Sequence, residues 1–116
     1  MHAVICTPEF LSDAAKSGMT EDEQDYIVSA ISRNPQIGDI MPGTGGCRKR
    51  RFQGRGKGKS GGYRTVHYYA GEDIPVVLLA LINKGERANL SKAEQNALRL
   101  ELASYADDYR KGISAR

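Results

Sequence analysis

A nine-residue apolar run, residues 74–82 (IPVVLLALI), constrains the fold of this chain more than any other feature. Its almost unbroken apolarity predicts a central strand that is covered on both faces. Residues 63–70 (YRTVHYYA) form another predicted strand. Alternation gives that strand two faces, one with Arg64, Val66 and Tyr68 and the other with Tyr63, Thr65, His67 and Tyr69. Only three residues separate the two runs, so we expect the strands to pair antiparallel.

The N-terminal third is predicted to be a helical hairpin. Pro8 suits the first turn of a helix, and Gly18 suits its end. Thr20 and Glu23 form a capping-box pattern that opens a second helix. Asn34-Pro35 ends that helix, because the residue before a proline is pushed out of the helical conformation.

The C-terminal part begins with another capping box, formed by Ser91 and Glu94. It predicts a helix that runs to about Lys111 and ends at Gly112.

Two shorter segments complete the predicted sheet. Residues 2–6 and 47–53 are expected to be strands, and the glycine-rich residues 37–46 are expected to be a loop. The order of elements predicts a single α+β domain over residues 1–116, with the helical hairpin packed on an antiparallel-rich, four-stranded sheet and a C-terminal helix.

Positive charge is concentrated in one segment. Between residues 48 and 64 there are eight cations and no acid, whereas the other nine cations are outnumbered by the fourteen acids. The eight are Arg48, Lys49, Arg50, Arg51, Arg55, Lys57, Lys59 and Arg64. Such localisation indicates a binding site for a polyanion better than a uniformly basic composition would.

The glycine-rich stretch that follows Phe52 (QGRGKGKSGG) allows three interpretations. A Walker A phosphate loop needs four residues between its first glycine and Gly-Lys-Ser, but only three separate Gly54 from Gly58, and a strand follows instead of a helix. An idle linker is the simplest alternative, although the stretch is longer than the two to five residues of most hairpin loops. A grip on a nucleic-acid backbone fits best, because glycines let amides approach phosphates closely and cations release counterions.

This interpretation assigns RNA contacts to Arg48, Arg51 and Arg55. Tyr63 could stack on an unpaired base, as could Tyr68 and Tyr69, a mode that suits single-stranded RNA. Packing inside the sheet is an open alternative for each of these tyrosines.

The same cations could also cleave RNA. When the 2′-hydroxyl attacks the adjacent phosphate, a base must take its proton and cations must stabilise the phosphoryl oxygens. Clustered like charge lowers a lysine pKa, so Lys57 or Lys59 is the candidate base, and Arg64 is the candidate phosphate clamp. Lys84, as a further catalytic cation, and Arg87, as an RNA contact, follow the central strand and reach the same end of the sheet if the two strands pair as predicted.

Other functions find little support. His67, Cys6 and Cys47 are interpreted as structural, with a lowered thiol pKa at Cys47 as the alternative because many cations are near. Two histidines and two cysteines without a Cys-x-x-Cys spacing predict no metal site and no cofactor. The N-terminus lacks an export signal, and the longest apolar run is about half of the roughly 18 residues that a membrane span needs, so we expect a cytoplasmic protein.

Two segments of the chain resemble a known family: residues 41–69 (MPGTGGCRKRRFQGRGKGKSGGYRTVHYY) and residues 76–98 (VVLLALINKGERANLSKAEQNAL). They are similar to the RelE/ParE superfamily of prokaryotic toxins, and most to its HigB-like branch. The resemblance implies a microbial-ribonuclease-like fold and metal-independent, ribosome-dependent cleavage of mRNA in the decoding site. It also implies neutralisation by a cognate antitoxin, which in the HigB-like branch usually carries a helix-turn-helix.

The resemblance places the catalytic residues at Lys57, Arg64 and the segment with Lys84 and Arg87, and Lys59 belongs to the HigB-like loop pattern. Some relatives use a C-terminal aromatic residue or histidine near the substrate base, whereas the matching position here is Ser91. Either Tyr105 or Tyr109 takes that role, or proton transfer depends on the cations alone. Two alternatives stay open: a ParE-like toxin that acts on DNA gyrase, and a non-catalytic RNA-binding protein.

Overall fold

The computed structural model describes residues 2–52, 62–82 and 91–115. Its elements in chain order are β1 (Val4–Cys6), α1 (Pro8–Lys16), α2 (Glu21–Arg33), β2 (Asp39–Ile40), β3 (Cys47–Phe52), β4 (Tyr63–Tyr68), β5 (Val76–Ile82) and α3 (Lys92–Ala115). The described strands form one mixed sheet in the order β1-β5-β4-β3-β2, in which only β1 and β5 are parallel. The predicted α+β class and the antiparallel pairing of β4 with β5 are confirmed.

Local sequence signals account for most helix boundaries. Thr7 caps α1 by accepting a hydrogen bond from the Phe10 backbone N–H, and Pro8 occupies the first turn. The capping box of Thr20 and Glu23 is present at the start of α2, and Asn34 ends that helix. Gly18 follows α1 with a φ of 73°, a left-handed conformation that glycine adopts without steric cost.

Two predictions about the elements are wrong. Among the described residues the sheet has five strands instead of four, because Asp39 and Ile40, in the segment predicted as a loop, pair with Lys49 and Arg48. Helix α3 continues through Gly112 to Ala115. A single glycine inside a helix costs only about 1 kcal/mol relative to alanine, so it does not by itself end a long helix.

The sheet separates two apolar clusters. The helical-hairpin face carries the larger one, in which the fully buried Phe10 and Ile31 pack against Val76 and Leu78 of β5. The α3 face carries the second, in which Leu102 packs against Cys47, Val66, Tyr68 and Val77. Since β5 contributes to both clusters, the prediction of a strand covered on both faces is confirmed.

Helix α3 crosses one end of the sheet. Near its start, Gln95 and Arg99 lie against Gly43 and Gly45, just before β3 begins.

Towards its other end, the Tyr105 hydroxyl lies 3.5 Å from the Pro75 carbonyl, and Arg110 forms a 2.8 Å ion pair with Asp73 in the turn before β5. Helix α3 therefore covers the end of the sheet where Cys47, Tyr68 and Val77 lie side by side.

Candidate nucleic-acid interface

The four consecutive cations of β3 are divided between the two faces of the sheet. Arg48 and Arg50 lie on the helical-hairpin face, opposite His67 and Thr65 of β4. Lys49 and Arg51 lie on the α3 face, because Lys49 opposes Val66, which belongs to the cluster beneath α3. Strand alternation therefore separates a run that looks like one basic patch in the sequence.

The two cations on the helical-hairpin face have structural contacts. Nη1 of Arg48 donates hydrogen bonds to the carbonyls of Gln36 and Gly38, at 3.0 and 3.3 Å. The Arg50 guanidinium lies 5.3 Å from the centre of the Phe52 ring, in a cation–π contact. The predicted RNA contact of Arg48 is untested, but its guanidinium holds the chain before β2.

On the α3 face, Arg51 of β3 lies directly opposite Arg64 of β4. Directly opposed residues on antiparallel strands have Cβ atoms about 5 Å apart, and like charges in that arrangement repel. Within the described residues, neither arginine forms an ion pair. With Lys49 they form what we call the cationic sheet face: Lys49, Arg51 and Arg64.

The cationic sheet face lies at the end of the sheet that α3 does not cross. Arg51 is four residues along β3 from Cys47, the residue beneath α3, which corresponds to about 13 Å. Arg51 is exposed and Arg64 is half-buried, so both remain accessible from solvent. Three cations on a pleated surface, where no acid of the described residues neutralises the arginine pair, suit a ligand with several negative charges.

Five of the predicted site residues, Arg55, Lys57, Lys59, Lys84 and Arg87, lie outside the described residues. The described residues next to them, Phe52, Gly62 and Ile82, lie at the same end of the sheet as Arg64, since Phe52 opposes Tyr63 and Ile82 opposes Arg64. The strand pairing on which the predictions for Lys84 and Arg87 depended is thus present.

None of the three tyrosines lies beside the Arg51–Arg64 pair on the cationic sheet face. Tyr63 lies on the opposite face from Arg64, where its hydroxyl donates a 3.0 Å hydrogen bond to Oε1 of Glu23. Burial, and then the neighbouring carboxylate, raise the pKa of Tyr63. Tyr68 is buried beneath α3 with its ring edge-on to Tyr105, and the Tyr69 ring contacts that of His2. The contacts of Tyr68 and Tyr69 fit the alternative interpretation, in which these rings pack within the fold. An RNA contact by Tyr63 stays a prediction.

Tyr105 and Tyr109 also lie away from Arg64. Their rings are 6.3 Å apart, and the Tyr105 hydroxyl is at the Pro75 end of β5, whereas Arg64 opposes the other end of that strand. Seven residues of strand correspond to about 23 Å. The structure therefore does not bring either tyrosine to the site in place of the aromatic residue or histidine that some relatives use.

His67 is structural, as predicted. Its side chain is fully buried, and its Nε2–H donates a 2.8 Å hydrogen bond to the Pro35 carbonyl. Burial lowers the pKa of His67, and the nearby charge of Arg48 lowers it further, against the raising effect of the hydrogen bond. The neutral ring therefore connects β4 to the chain just after α2.

Neither cysteine has the environment of a reactive thiol. Cys47 is fully buried, and burial raises its pKa to about 11, against the lowering effect of the Thr44 hydroxyl. The alternative of a lowered thiol pKa at Cys47 is therefore wrong. Cys6 is half-buried on the opposite face of the sheet, and burial raises its pKa too.

Two further features bear on the kind of protein. Among residues 2–52, 62–82 and 91–115, no group of three or more His, Cys, Asp or Glu side chains could hold a metal ion. No helix in the same ranges is long and apolar enough to cross a membrane.

The sequence predicted no role in the site for Lys49 or Glu23. Period-2 alternation could have found Lys49, because it places positions 49 and 51 on one face of β3. For Glu23 the sequence predicts only helix capping, because its hydrogen bond with Tyr63 joins residues that are 40 positions apart.

The match to a known family agrees with this architecture. A family model described as "RelE toxin of RelE / RelB toxin-antitoxin system" matches residues 9–114, nearly the whole chain. Toxins of this family pair with an antitoxin. The chain therefore belongs to the RelE toxin family of toxin–antitoxin systems.

Proposed function

We propose that this toxin is a ribosome-dependent mRNA endoribonuclease of the HigB-like branch, which inhibits translation by cleaving mRNA in the decoding site. The observation that carries the proposal is the opposed pair Arg51 and Arg64 on the cationic sheet face. Two arginines held side by side, with no ion-paired acid among the described residues, favour a bound phosphodiester, because each guanidinium can donate two parallel hydrogen bonds to phosphate oxygens.

The proposed chemistry requires no metal. The 2′-oxygen loses its proton to a base and attacks the neighbouring phosphorus, and the bond to the 5′-oxygen breaks as that oxygen gains a proton. Lys57 or Lys59 is the proposed base, with Lys84 as a further catalytic cation. Arg64 stabilises the charge that develops on the phosphoryl oxygens.

Further residues are proposed to bind the RNA, some on the face of Arg64 and some on the opposite face of the sheet. The predicted contacts are Arg48, Arg51, Arg55, Tyr63 and Arg87, and Lys49 is added because it shares the face of Arg51. The proposed partners are the ribosome, mRNA and a cognate helix-turn-helix antitoxin that represses the operon together with the toxin.

Growth arrest tests the site directly. Expression of the wild-type toxin should stop growth, and Arg64→Ala, Lys57→Ala or Lys59→Ala should relieve the arrest while the protein stays folded and binds its antitoxin. Arg33→Ala is the matched control, because Arg33 is an exposed cation at the end of α2. If all three variants remain as toxic as wild type, the proposed catalytic site is wrong.

Mapping the 5′ ends of cellular mRNA separates the possible activities. In-frame cuts soon after induction support the nuclease, whereas DNA damage without such cuts supports a gyrase poison. ParE-like toxins typically lack the catalytic cations that this sequence retains, which favours the nuclease. RNA binding with a steep salt dependence but no cleavage on translating ribosomes would identify a non-catalytic binding protein.

A further inference from the structure

The end of the β3–β4 ladder is attached to helix α2. The last described pair of the ladder is Phe52 opposite Tyr63, and the pair before it is Arg51 opposite Arg64. Phe52 is buried and meets the Tyr26 ring of α2 edge-on, with ring centres 6.2 Å apart. Tyr63 reaches the same helix through its hydroxyl.

The acceptor of that hydroxyl is an almost completely buried carboxylate. The side chain of Glu23 is 6% exposed, and its Oε1 accepts hydrogen bonds from the Thr20 backbone N–H at 2.9 Å and from the Tyr63 hydroxyl at 3.0 Å. The Thr20 hydroxyl in turn accepts from the Glu23 backbone N–H at 3.1 Å. A carboxylate held by the helix N-terminus is a fixed acceptor, so it can fix the residue that donates to it.

The hydrogen bond between Tyr63 and Glu23 acts against a repulsion at the next residue of β4, Arg64. Arg64 and Arg51 repel each other across the ladder, and their repulsion favours separation of the two strands at this end. On the opposite face, the Tyr63–Glu23 hydrogen bond and the packing of Phe52 oppose that separation.

We propose that Glu23 and Tyr63 are positioning residues for Arg64: their hydrogen bond holds the first residue of β4 on α2, so that Arg64 and Arg51 face the same phosphate. The inference rests on the proposed nuclease function for its role in catalysis. The assignment gives the Glu23 capping box a second role and the Tyr63 hydroxyl a role other than contact with RNA.

Substitutions on both sides of the bond test the proposal. Tyr63→Phe keeps the ring and removes the donor, and Glu23→Ala removes the acceptor. Each should lower the single-turnover rate of mRNA cleavage on ribosomes about 10-fold or more, since a displacement of 1 Å in a catalytic group can cost about 100-fold. The double variant should be no slower than the slower single variant, because both changes remove the same interaction. Affinity for the antitoxin should stay within twofold.

Two further variants separate positioning from loss of a helix cap. Glu94 accepts a 2.9 Å hydrogen bond from the Ser91 N–H in the capping box of α3, so Glu94→Ala removes a capping box without touching Tyr63. Glu94→Ala should cleave within twofold of wild type. Glu23→Gln keeps an acceptor oxygen for Tyr63 and should retain at least a third of the rate. The proposal is overturned if Glu94→Ala is as slow as Glu23→Ala, or if Tyr63→Phe cleaves as fast as wild type.

A second readout does not depend on cleavage. The Nε–H resonance of Arg64, followed by NMR during titration with inorganic phosphate, should be a single sharp signal in wild type and Glu94→Ala. In Tyr63→Phe it should be broadened and should respond more weakly to phosphate. If wild type does not cleave mRNA but this difference is present, the nuclease function fails and the positioning role stands. If wild type cleaves and the Arg64 signal is identical in all three proteins, the positioning role fails.

Discussion

Replacing Arg51 should make the fold more stable while it weakens the site. Arg51 lies opposite Arg64, and no described acid pairs with either residue. For charges about 7 Å apart, an effective dielectric constant between about 40 and 80 gives a repulsion of about 0.6–1.2 kcal/mol. Screening by about 0.1 M salt roughly halves that value. Arg51→Gln should therefore raise the free energy of unfolding by about 0.3–1.2 kcal/mol, with the upper part of the range at low salt.

The neighbouring residue provides a control of opposite sign. Arg50→Gln removes the same charge from the same strand, but it also removes the guanidinium that lies over Phe52. Arg50 itself is exposed, so the contact contributes about 0.5–1 kcal/mol and Arg50→Gln should be destabilising or neutral. Two adjacent arginines should thus differ in the direction of their effect because they lie on opposite faces.

Thermal unfolding followed by circular dichroism measures both variants. For a chain of 116 residues, about 0.24 kcal/mol shifts the Tm by 1 °C, so Arg51→Gln should raise the Tm by about 2–5 °C at 20 mM salt. At 1 M salt, where the Debye length is about 3 Å, most of the increase should disappear. A lower Tm for Arg51→Gln at low salt, or an increase that salt does not reduce, would refute the repulsion between these arginines.

Three further changes test other parts of the structure. His67 has a lowered pKa in the folded state, so the unfolded state binds more protons than the folded state as pH falls below about 6.5. The free energy of unfolding, measured with urea, should therefore fall as pH is lowered from that value. His67→Gln should flatten this slope, and an unchanged slope would contradict the lowered pKa of His67. Cys47, with a pKa of about 11, should react with a thiol reagent at pH 8 only as fast as the protein opens. Urea below the unfolding midpoint should therefore accelerate the labelling of Cys47, and fast labelling of Cys47 itself in the native protein would exclude its burial. Gly38→Ala should lower the free energy of unfolding by about 2 kcal/mol or more, because its Cβ would lie 2.5 Å from the Lys49 carbonyl oxygen at a φ of 96°. Gly18→Ala, at a φ of 73° with no atom within 4 Å, should cost only about 1 kcal/mol, and equal losses for the two variants would disprove the clash.

Local signals in the sequence were sufficient wherever a few neighbouring residues determine the structure. Both predicted capping boxes are present, at Thr20 with Glu23 and at Ser91 with Glu94. Alternation along β4 correctly separated Arg64 from Tyr63. Each of these features depends on spacings of one to four residues, which the chain shows directly.

Features that depend on distant residues were not predictable in the same way. The two-residue strand β2 has almost no pattern of its own and exists because Asp39 and Ile40 meet β3. The charge count between residues 48 and 64 suggested one basic patch, whereas Arg48 is bound to the carbonyls of Gln36 and Gly38. Alternation along β3 separates Arg50 from Arg51, but only the register of β3 with β4 shows that Arg51 lies opposite Arg64.

The two faces of the β3–β4 ladder have opposite energetic roles. On the helical-hairpin face, buried Phe52, the His67–Pro35 hydrogen bond and the Tyr63–Glu23 hydrogen bond stabilise the pairing of the strands. On the α3 face, the like charges of Arg51 and Arg64 are expected to oppose it. The contacts on the helical-hairpin face must then outweigh the expected repulsion, and an anionic ligand that relieves the repulsion would gain affinity by doing so. The arginine pair lies next to the last described pair of the ladder, where Phe52 and Tyr63 contact α2 on the opposite face.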